Sequence, residues 1–209
     1  MSFVEMIEES RVDEVDAFRR MREGALIEVT AWTLFLVVIF AIAREIITSP
    51  LRTFPHLVGA AVVLLVILFM VVFAGFVRIS SGVEDLAQVN SELSKISLLI
   101  KFPLWGSLLI AVGLLLIPVI IGVMIVTVGL VLLIISYVGI ILLSFEFYDE
   151  YDDKLYLIAG ILFIFHVVSL IFSLGIATPV LGAVAWALTY SALSNTVRKL
   201  RRSQYSSQI

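Results

Sequence analysis

The sequence contains no cysteine among its 209 residues. This absence excludes disulfide bonds, thiolate metal sites and cysteine nucleophiles, although it does not identify a redox compartment. Charge is also scarce, since acidic and basic residues make up 15 % of the chain, against about 25 % in soluble domains. The net charge of −3 is slight, and the basic residues form no face with interleaved aromatics. Nucleic acid is therefore not an expected partner.

Two long stretches, 102–145 and 155–197, contain no Asp, Glu, Lys or Arg over 44 and 43 residues. A helix of about 20 apolar residues crosses the hydrocarbon core of a bilayer, so each stretch is long enough to cross twice. Segments 118–122 and 175–179 each combine a proline with a glycine, which favours a break in the helix and a reversal of the chain. Each stretch therefore predicts a tight helical hairpin.

What the chain does have is apolar surface, with 61 % hydrophobic residues and a mean hydropathy of +1.14. A soluble core of this chain length does not bury so much apolar surface. We predict an all-α integral membrane bundle with six transmembrane helices, at about 26–47, 57–77, 103–118, 122–145, 155–175 and 179–197. An amphipathic segment, 1–25, precedes this membrane domain of residues 26–197, and a basic tail, 198–209, follows it.

The first span has Glu28 near one end and Arg44 and Glu45 near the other. We expect these charged side chains to snorkel to the two interfaces. With six spans, twelve of the fourteen Lys and Arg residues fall on one side of the membrane, and only Arg44 and Arg52 fall on the other. The positive-inside rule then predicts that both termini, and any surface for a soluble partner, are cytoplasmic.

The N-terminal segment spaces Val12, Val15, Phe18 and Met21 three residues apart among charged residues. This pattern predicts an amphipathic helix that leads into the first span. Such a helix lies either on the bilayer surface or on the bundle itself, and the alternative is that it docks a partner.

The connection 79–101 repeats this logic, because a one-sided apolar seam of alternating three and four spacing runs through Leu86, Val89, Leu93, Ile96 and Ile100. Two heptads favour packing against the N-terminal helix or the membrane over a coiled coil, and oligomerisation is the alternative.

His166 is expected to be the only ionisable side chain at mid-membrane depth, apart from tyrosines. Such residues are candidates for function, but a proton relay normally needs several converging polar groups. The structural interpretation is a neutral imidazole that bonds to Ser169, to Ser173 or to a hydroxyl of the sixth span. Both interpretations stay open, and a facing haem ligand is not expected because His56 lies at the outer edge.

The sixth span is the most polar, and Ala183, Ala187, Ser191 and Asn195 fall four residues apart. Small side chains at this spacing allow close helix packing, in the bundle interior or between protomers. The functional alternative is a polar path, with His166, Ser191 and Asn195 as a candidate intramembrane site.

Glycines seven residues apart occur in both the third and the fourth spans, as Gly106 and Gly113 and as Gly122 and Gly129. They lie on nearly one face of each helix, so they are candidates for tight packing between the two.

No pattern of residues predicts a catalytic, cofactor-binding or metal site. The acidic loop 146–154 invites a calcium interpretation because hard cations bind several carboxylates. It lacks the glycine and the regular spacing of an EF-hand, so a solvated turn between two hairpins is the better interpretation.

The run 18–25, FRRMREGA, precedes the first span, and two glycine-bearing hairpins flank an Asp- and Tyr-containing loop. This layout resembles an uncharacterised family of archaeal multi-pass membrane proteins, domain of unknown function 973. The resemblance implies an archaeal plasma-membrane location and brings no activity to transfer. Arg22 and Gly24 match its motif, and we interpret them as a turn or cap where the chain enters the membrane.

The favoured function is that of a non-enzymatic membrane protein that acts by helix packing, either as the accessory subunit of a complex or as a homo-oligomer. The alternative is a transporter or channel for a proton or small solute that uses His166 and the polar stripe of the sixth span.

Overall fold

A computed structural model describes residues 3–48, 54–88, 90–117, 120–172 and 175–206. These ranges contain six helices: α1 Phe3–Thr48, α2 Phe54–Ala87, α3 Ser91–Leu115, α4 Ile120–Tyr151, α5 Lys154–Ile171 and α6 Ala177–Ser206. Each is long and apolar enough to cross a membrane, and no strand occurs within the described ranges. The prediction of an all-α fold with six membrane-spanning helices and two tight hairpins is confirmed.

The helix boundaries differ from the predicted spans. The third helix starts twelve residues before the predicted start at Pro103, because Asn90 caps it by accepting a hydrogen bond of 2.9 Å from the Glu92 backbone N–H. Pro103 lies inside α3, where the missing N–H removes a single backbone bond without ending the helix. The fifth helix ends at Ile171, earlier than the predicted 175.

The predicted N-terminal amphipathic helix is confirmed, and it continues into the first span as one helix of 46 residues. Its apolar face packs on the bundle itself, since Phe18 and Met21 are buried, whereas the Val12 side chain lies outside the described ones. The interpretation of Arg22 and Gly24 as a turn or cap is wrong, because both are helical. A Cβ on Gly24 would lie 2.7 Å from the Gly75 carbonyl oxygen, so this glycine allows α1 and α2 to touch.

The expectation of one continuous seam over 79–101 is also wrong. The second helix ends at Ala87 and the third begins at Ser91, which places Leu86 at the end of α2 and Leu93, Ile96 and Ile100 on α3. All four side chains are buried in the bundle, and Val89 lies outside the described residues. The α2 part of this segment packs against α1, since a Cβ on Gly82 would lie 2.5 Å from the Ala17 carbonyl oxygen.

The helices form a ring in chain order, which α1 and α6 close by packing against each other. Aromatic side chains fill the middle of this ring. The Phe76 ring of α2 lies 5.8 Å from the Trp186 ring of α6 and 6.3 Å from the Tyr137 ring of α4, both edge-on. Large apolar side chains such as Ile67 and Phe165 are exposed outside the ring, where a bilayer would cover them.

The α3–α4 interface contains the four glycines singled out from the sequence. A Cβ on Gly106 would lie 2.9 Å from the Gly129 carbonyl oxygen, and a Cβ on Gly129 would lie 2.8 Å from that of Gly106. A Cβ on Gly113 would lie 2.9 Å from the Gly122 carbonyl oxygen, and a Cβ on Gly122 would overlap the Leu116 backbone. The two backbones therefore touch along this interface.

The two ends of the bundle differ in charge. At one end, which we call the charged end, Arg20 pairs with Asp85 at 2.9 Å and Arg78 with Glu23 at 3.6 Å, which links α1 to α2. The α2–α3 and α4–α5 junctions lie at this end. Helices α1, α3 and α5 run away from the charged end, and we call the end at which they terminate the opposite end.

Candidate functional site

His166 of α5 lies in the interior of the bundle and is fully buried. Its Nδ1 is 3.0 Å from the backbone carbonyl oxygen of Thr178, at the start of α6. The partner is therefore a carbonyl instead of the expected hydroxyl, and the Ser169 hydroxyl donates to the His166 carbonyl. Ser173 lies outside the described residues.

This bond determines the chemistry of the other ring nitrogen. A carbonyl oxygen only accepts, so Nδ1 of His166 carries the hydrogen, and in the neutral ring Nε2 is an acceptor. Nε2 is buried and has no hydrogen-bond partner within the described part of the chain. It is therefore available to accept a proton or to bind a donor.

Glu28 of α1 does not lie where its position in the sequence predicts. The expectation that it snorkels to an interface is wrong, because its side chain is 0 % exposed and points into the ring of helices. Its Oε1 packs on Gly75 of α2, where a Cβ would overlap it. Neither carboxyl oxygen has a hydrogen-bond partner among the described residues.

Tyr137 of α4 lies between these two groups. Its ring is 4.9 Å from the His166 ring, edge-on, and its hydroxyl lies within electrostatic range of the Glu28 carboxyl group. The indole N–H groups of Trp32 and Trp186 lie near this hydroxyl, and that of Trp32 also lies near the Glu28 carboxyl group. None of these groups reaches hydrogen-bond geometry with another within the described chain.

We call these five residues the buried polar cluster: Glu28, Trp32, Tyr137, His166 and Trp186. The Trp32 ring stands edge-on to the His166 ring at 4.7 Å. The five side chains come from α1, α4, α5 and α6, so four of the six helices contribute to the cluster. The cluster combines acceptors, two indole donors and a hydroxyl that does both. Such a set can hold and pass a proton, or can hold a water molecule.

A small cavity adjoins the cluster on the side of the charged end. It has a volume of about 20 Å³, and Trp186 forms part of its wall together with Met21, Ser144, Tyr156 and Thr189. This volume is large enough for one water molecule. We call it the inner cavity.

The candidate site His166, Ser191 and Asn195 does not form. Ser191 is exposed, and its hydroxyl donates to the Ala187 carbonyl oxygen at 2.9 Å. Asn195 donates to Asp153 Oδ2 at 3.0 Å, at the charged end. Asn195 lies seventeen positions along α6 from Thr178, the hydrogen-bond partner of His166. This spacing corresponds to about 26 Å along the helix.

The stripe of small residues on α6 also lies away from the interior. Ala183 and Ala187 are half-buried, whereas Ala185 and Ala192 are fully buried. Gly182 makes the close approach to the cluster, since a Cβ there would lie 2.9 Å from both the His166 and the Trp32 rings. The interior face of α6 is thus offset by about one residue from the predicted one.

The acidic loop has structural roles in the observed fold. Asp152 adopts a left-handed backbone conformation with a φ of 48° between α4 and α5. Asp153 caps α5, since its Oδ1 accepts from the Leu155 backbone N–H at 3.0 Å. Among the described residues, no group of three or more His, Asp and Glu side chains lies close enough together to hold a metal ion.

A signal for Glu28 exists in the sequence. The buried positions Phe18 and Met21 continue at spacings of four, three and four through Ala25 and Glu28 to Trp32, all of them buried. Extending the amphipathic pattern of segment 1–25 into the first span therefore places Glu28 on the inward face.

Comparison with known proteins identifies the family of this chain. The family described as a protein of unknown function, DUF973, matches residues 14–209, which include α2 to α6 and all of α1 except its first eleven residues. No curated protein and no solved structure is similar enough to this chain to count as a match. The resemblance seen in the run 18–25 and in the order of the hairpins is thereby confirmed. The chain belongs to the DUF973 family.

Proposed function

We propose that this membrane protein is a non-enzymatic transporter that moves a proton or small solute through the interior of its helix ring. The observation that carries the proposal is the buried Glu28 carboxyl group, which shares the bundle interior with His166 and is unpaired within the described chain. Ionisable groups inside a membrane bundle are costly, and they typically mark ion or substrate pathways.

A purely structural role explains this cluster less well. Burying a polar group without a hydrogen bond costs about 1 to 3 kcal/mol, and burying an unpaired charge costs more. Apolar side chains at the position of Glu28 would avoid this cost, so a bundle that acts by packing alone has no physical need for the carboxyl group.

The geometry supports a path with an inner and an outer part. The inner cavity, which has room for one water molecule, is lined by Met21, the neighbour of Arg20 in the chain, and by Trp186 of the cluster. On the other side of the cluster, His166 forms a hydrogen bond with Thr178, the second residue of α6, towards the opposite end. The proposed solute passes between these two parts.

Vesicle reconstitution tests the proposal. Purified protein in vesicles that contain a pH-sensitive dye is expected to carry protons down an imposed potential, and His166→Phe is expected to abolish that flux. His56→Phe is the matched control, because it removes the other histidine of the chain, in the first turn of α2. Flux equal to that of protein-free vesicles, with protons and with a panel of small ions and solutes, would contradict a transport function.

The second candidate function is packing, as the accessory subunit of a complex or as a homo-oligomer. It is supported by the small side chains of α6 that the bundle leaves at least partly uncovered, Ala183, Ala187 and Ser191. A pull-down from native membranes is expected to recover a stoichiometric partner if this function is the correct one. In that case His166→Phe leaves the complex intact.

The orientation is part of the same proposal. We propose that the charged end faces the cytoplasm of an archaeal cell and that the protein lies in the plasma membrane, because the basic residues gather at that end. The cysteine-free chain makes labelling straightforward. A cysteine introduced at Pro50 is expected to react with an impermeant reagent added outside, and reaction only from the cytoplasm would reverse the orientation.

A further inference from the structure

We propose that Glu28 is a proton-binding site in the interior of the helix ring, because its carboxyl group is fully buried and has no hydrogen-bond partner among the described residues. This inference rests on the proposed transport function and names its substrate, the proton. An ionised carboxyl group this deeply buried must be compensated by a bound positive species. Three classes are possible: a metal ion, an organic cation or a proton.

The donor set around Glu28 does not fit a metal ion. Hard cations take about six or more oxygen ligands. The polar neighbours of Glu28 are instead the indole N–H of Trp32 and the hydroxyl of Tyr137, and the indole N–H of Trp186 lies near that hydroxyl. An indole N–H presents a hydrogen to its partner and offers no lone pair to a cation.

An organic cation is disfavoured by space. Aromatic rings surround the cluster, as in sites that bind quaternary ammonium groups. Glu28 Oε1 lies so close to Gly75 that an added Cβ there would overlap it, and the inner cavity beside Trp186 has a volume of only about 20 Å³. A proton needs no more room than the carboxyl group itself.

The nearest titratable groups that the packed helices present to Glu28 come from two elements. They are Tyr137 of α4 and, beyond the Tyr137 ring, His166 of α5. The second helix presents Gly75, and α6 presents Trp186, which do not titrate. On α1 itself the nearest acid is Glu23, about 7.5 Å along the helix and paired with Arg78.

The proton step is a simple transfer. A hydronium ion that reaches the cluster gives a proton to the Glu28 carboxylate, which becomes a neutral carboxyl group, and a neutral water molecule is left. Onward transfer adds that proton to His166 Nε2 and restores the carboxylate, while the Nδ1–H bond to Thr178 stays in place. No oxidation or reduction is involved.

Infrared difference spectroscopy tests the site without any transport. The purified protein is expected to show a carbonyl stretching band of a protonated carboxyl group that responds to pH, shifts in D₂O and is lost in Glu28→Gln. In Glu28→Asp, which keeps an acid on a shorter side chain, the band is expected to move in frequency. This second variant tests the assignment even if Glu28→Gln fails to fold. An unchanged band in both variants would overturn the inference.

Tryptophan fluorescence provides a second readout. Of the three tryptophans, Trp32 and Trp186 belong to the cluster, and Trp105 is 63 % exposed. In Trp105→Phe protein, the emission is expected to follow a pH titration that Glu28→Gln removes. A response to added sodium or calcium at constant pH, or quenching by an added quaternary ammonium ion, would overturn the choice of the proton.

The outcomes separate the two proposals. If the vesicles carry a solute and Glu28→Gln leaves that flux intact, without a carboxyl band in the parent protein, the proton site is wrong and transport stands. If the band is present but no reconstituted solute moves, the transport function is wrong and Glu28 is a titrating group without a path.

Discussion

The α3–α4 interface and the buried polar cluster show two ways to fill the interior of a membrane bundle. At the α3–α4 interface, Gly106 and Gly129 bring the backbones into contact, and the buried hydroxyl of Ser107 donates to the Pro103 carbonyl oxygen of its own helix at 2.7 Å. In the cluster, the polar atoms of Glu28 and Tyr137 are equally buried but find no such partner among the described residues.

This difference separates stability from function. Without water in the bilayer, polar groups are normally satisfied within the protein, as Ser107 is, and close packing contributes the stability. A region that instead holds polar groups without partners sacrifices stability, and such sites are typically functional. Substitutions at the α3–α4 interface and in the buried polar cluster should therefore change the free energy of unfolding in opposite directions.

The largest effect is expected at the glycine interface. Gly129→Ala would place a Cβ 2.8 Å from the Gly106 carbonyl oxygen and 2.8 Å from the Ile110 side chain, so the backbones must separate. We expect the free energy of unfolding in detergent to fall by about 2 to 3 kcal/mol. Gly59→Ala is the matched control, because a Cβ there meets nothing within 4 Å. If both variants were equally stable, the interface would not be as close as described.

The opposite effect is expected in the cluster. Glu28→Met replaces the buried carboxyl group by an apolar side chain of similar length, so we expect unfolding to require about 1 to 2 kcal/mol more than in the parent protein. Proton flux in vesicles is expected to be lost at the same time. A destabilised Glu28→Met protein would show that Glu28 is held by contacts that stabilise the fold, which contradicts the comparison.

A smaller effect is expected at Asn195, which the sequence placed together with His166. Asn195→Ala removes the hydrogen bond to Asp153 at the charged end, and we expect a loss of about 1 kcal/mol in unfolding free energy. Proton flux in vesicles should not change, because Asn195 lies far from the cluster. A loss of flux comparable to that of His166→Phe would restore the polar path along α6.

The smallest effect is expected at the charged end. The side chains of Arg20 and Asp85 are 40 % and 30 % exposed, so water and salt screen this ion pair. Arg20→Ala is expected to lower the unfolding free energy by about 0.5 kcal/mol, and less in high salt. A loss as large as that of Gly129→Ala would show that the ion pair, and not the glycine contact, holds the bundle together.

The sequence predicted much of the fold because hydropathy is a local property. The charge-free stretches identified both hairpins, and the spacing of Phe18 and Met21 identified the amphipathic start of α1. Helix boundaries were less accurate, since a cap such as Asn90 outweighed the proline signal at Pro103. The sequence predicts only part of the candidate site. His166 stands out because it interrupts an apolar run, whereas Glu28 is expected at an interface because it lies near the end of the predicted span.

The sequence by itself determined that the chain has six helices long and apolar enough to cross a membrane, and it predicts that twelve of the fourteen basic residues share one side, because both follow from the number and order of apolar and charged residues along the chain. Only the tertiary structure decided which side chains meet. Asn195 and His166 lie on adjacent helices but at different depths, whereas Glu28, Tyr137 and His166 come from three helices and share one interior. Depth and rotation of each helix are set by close contacts, such as those of Gly24 and Gly75 between α1 and α2, and no single-helix pattern contains that information.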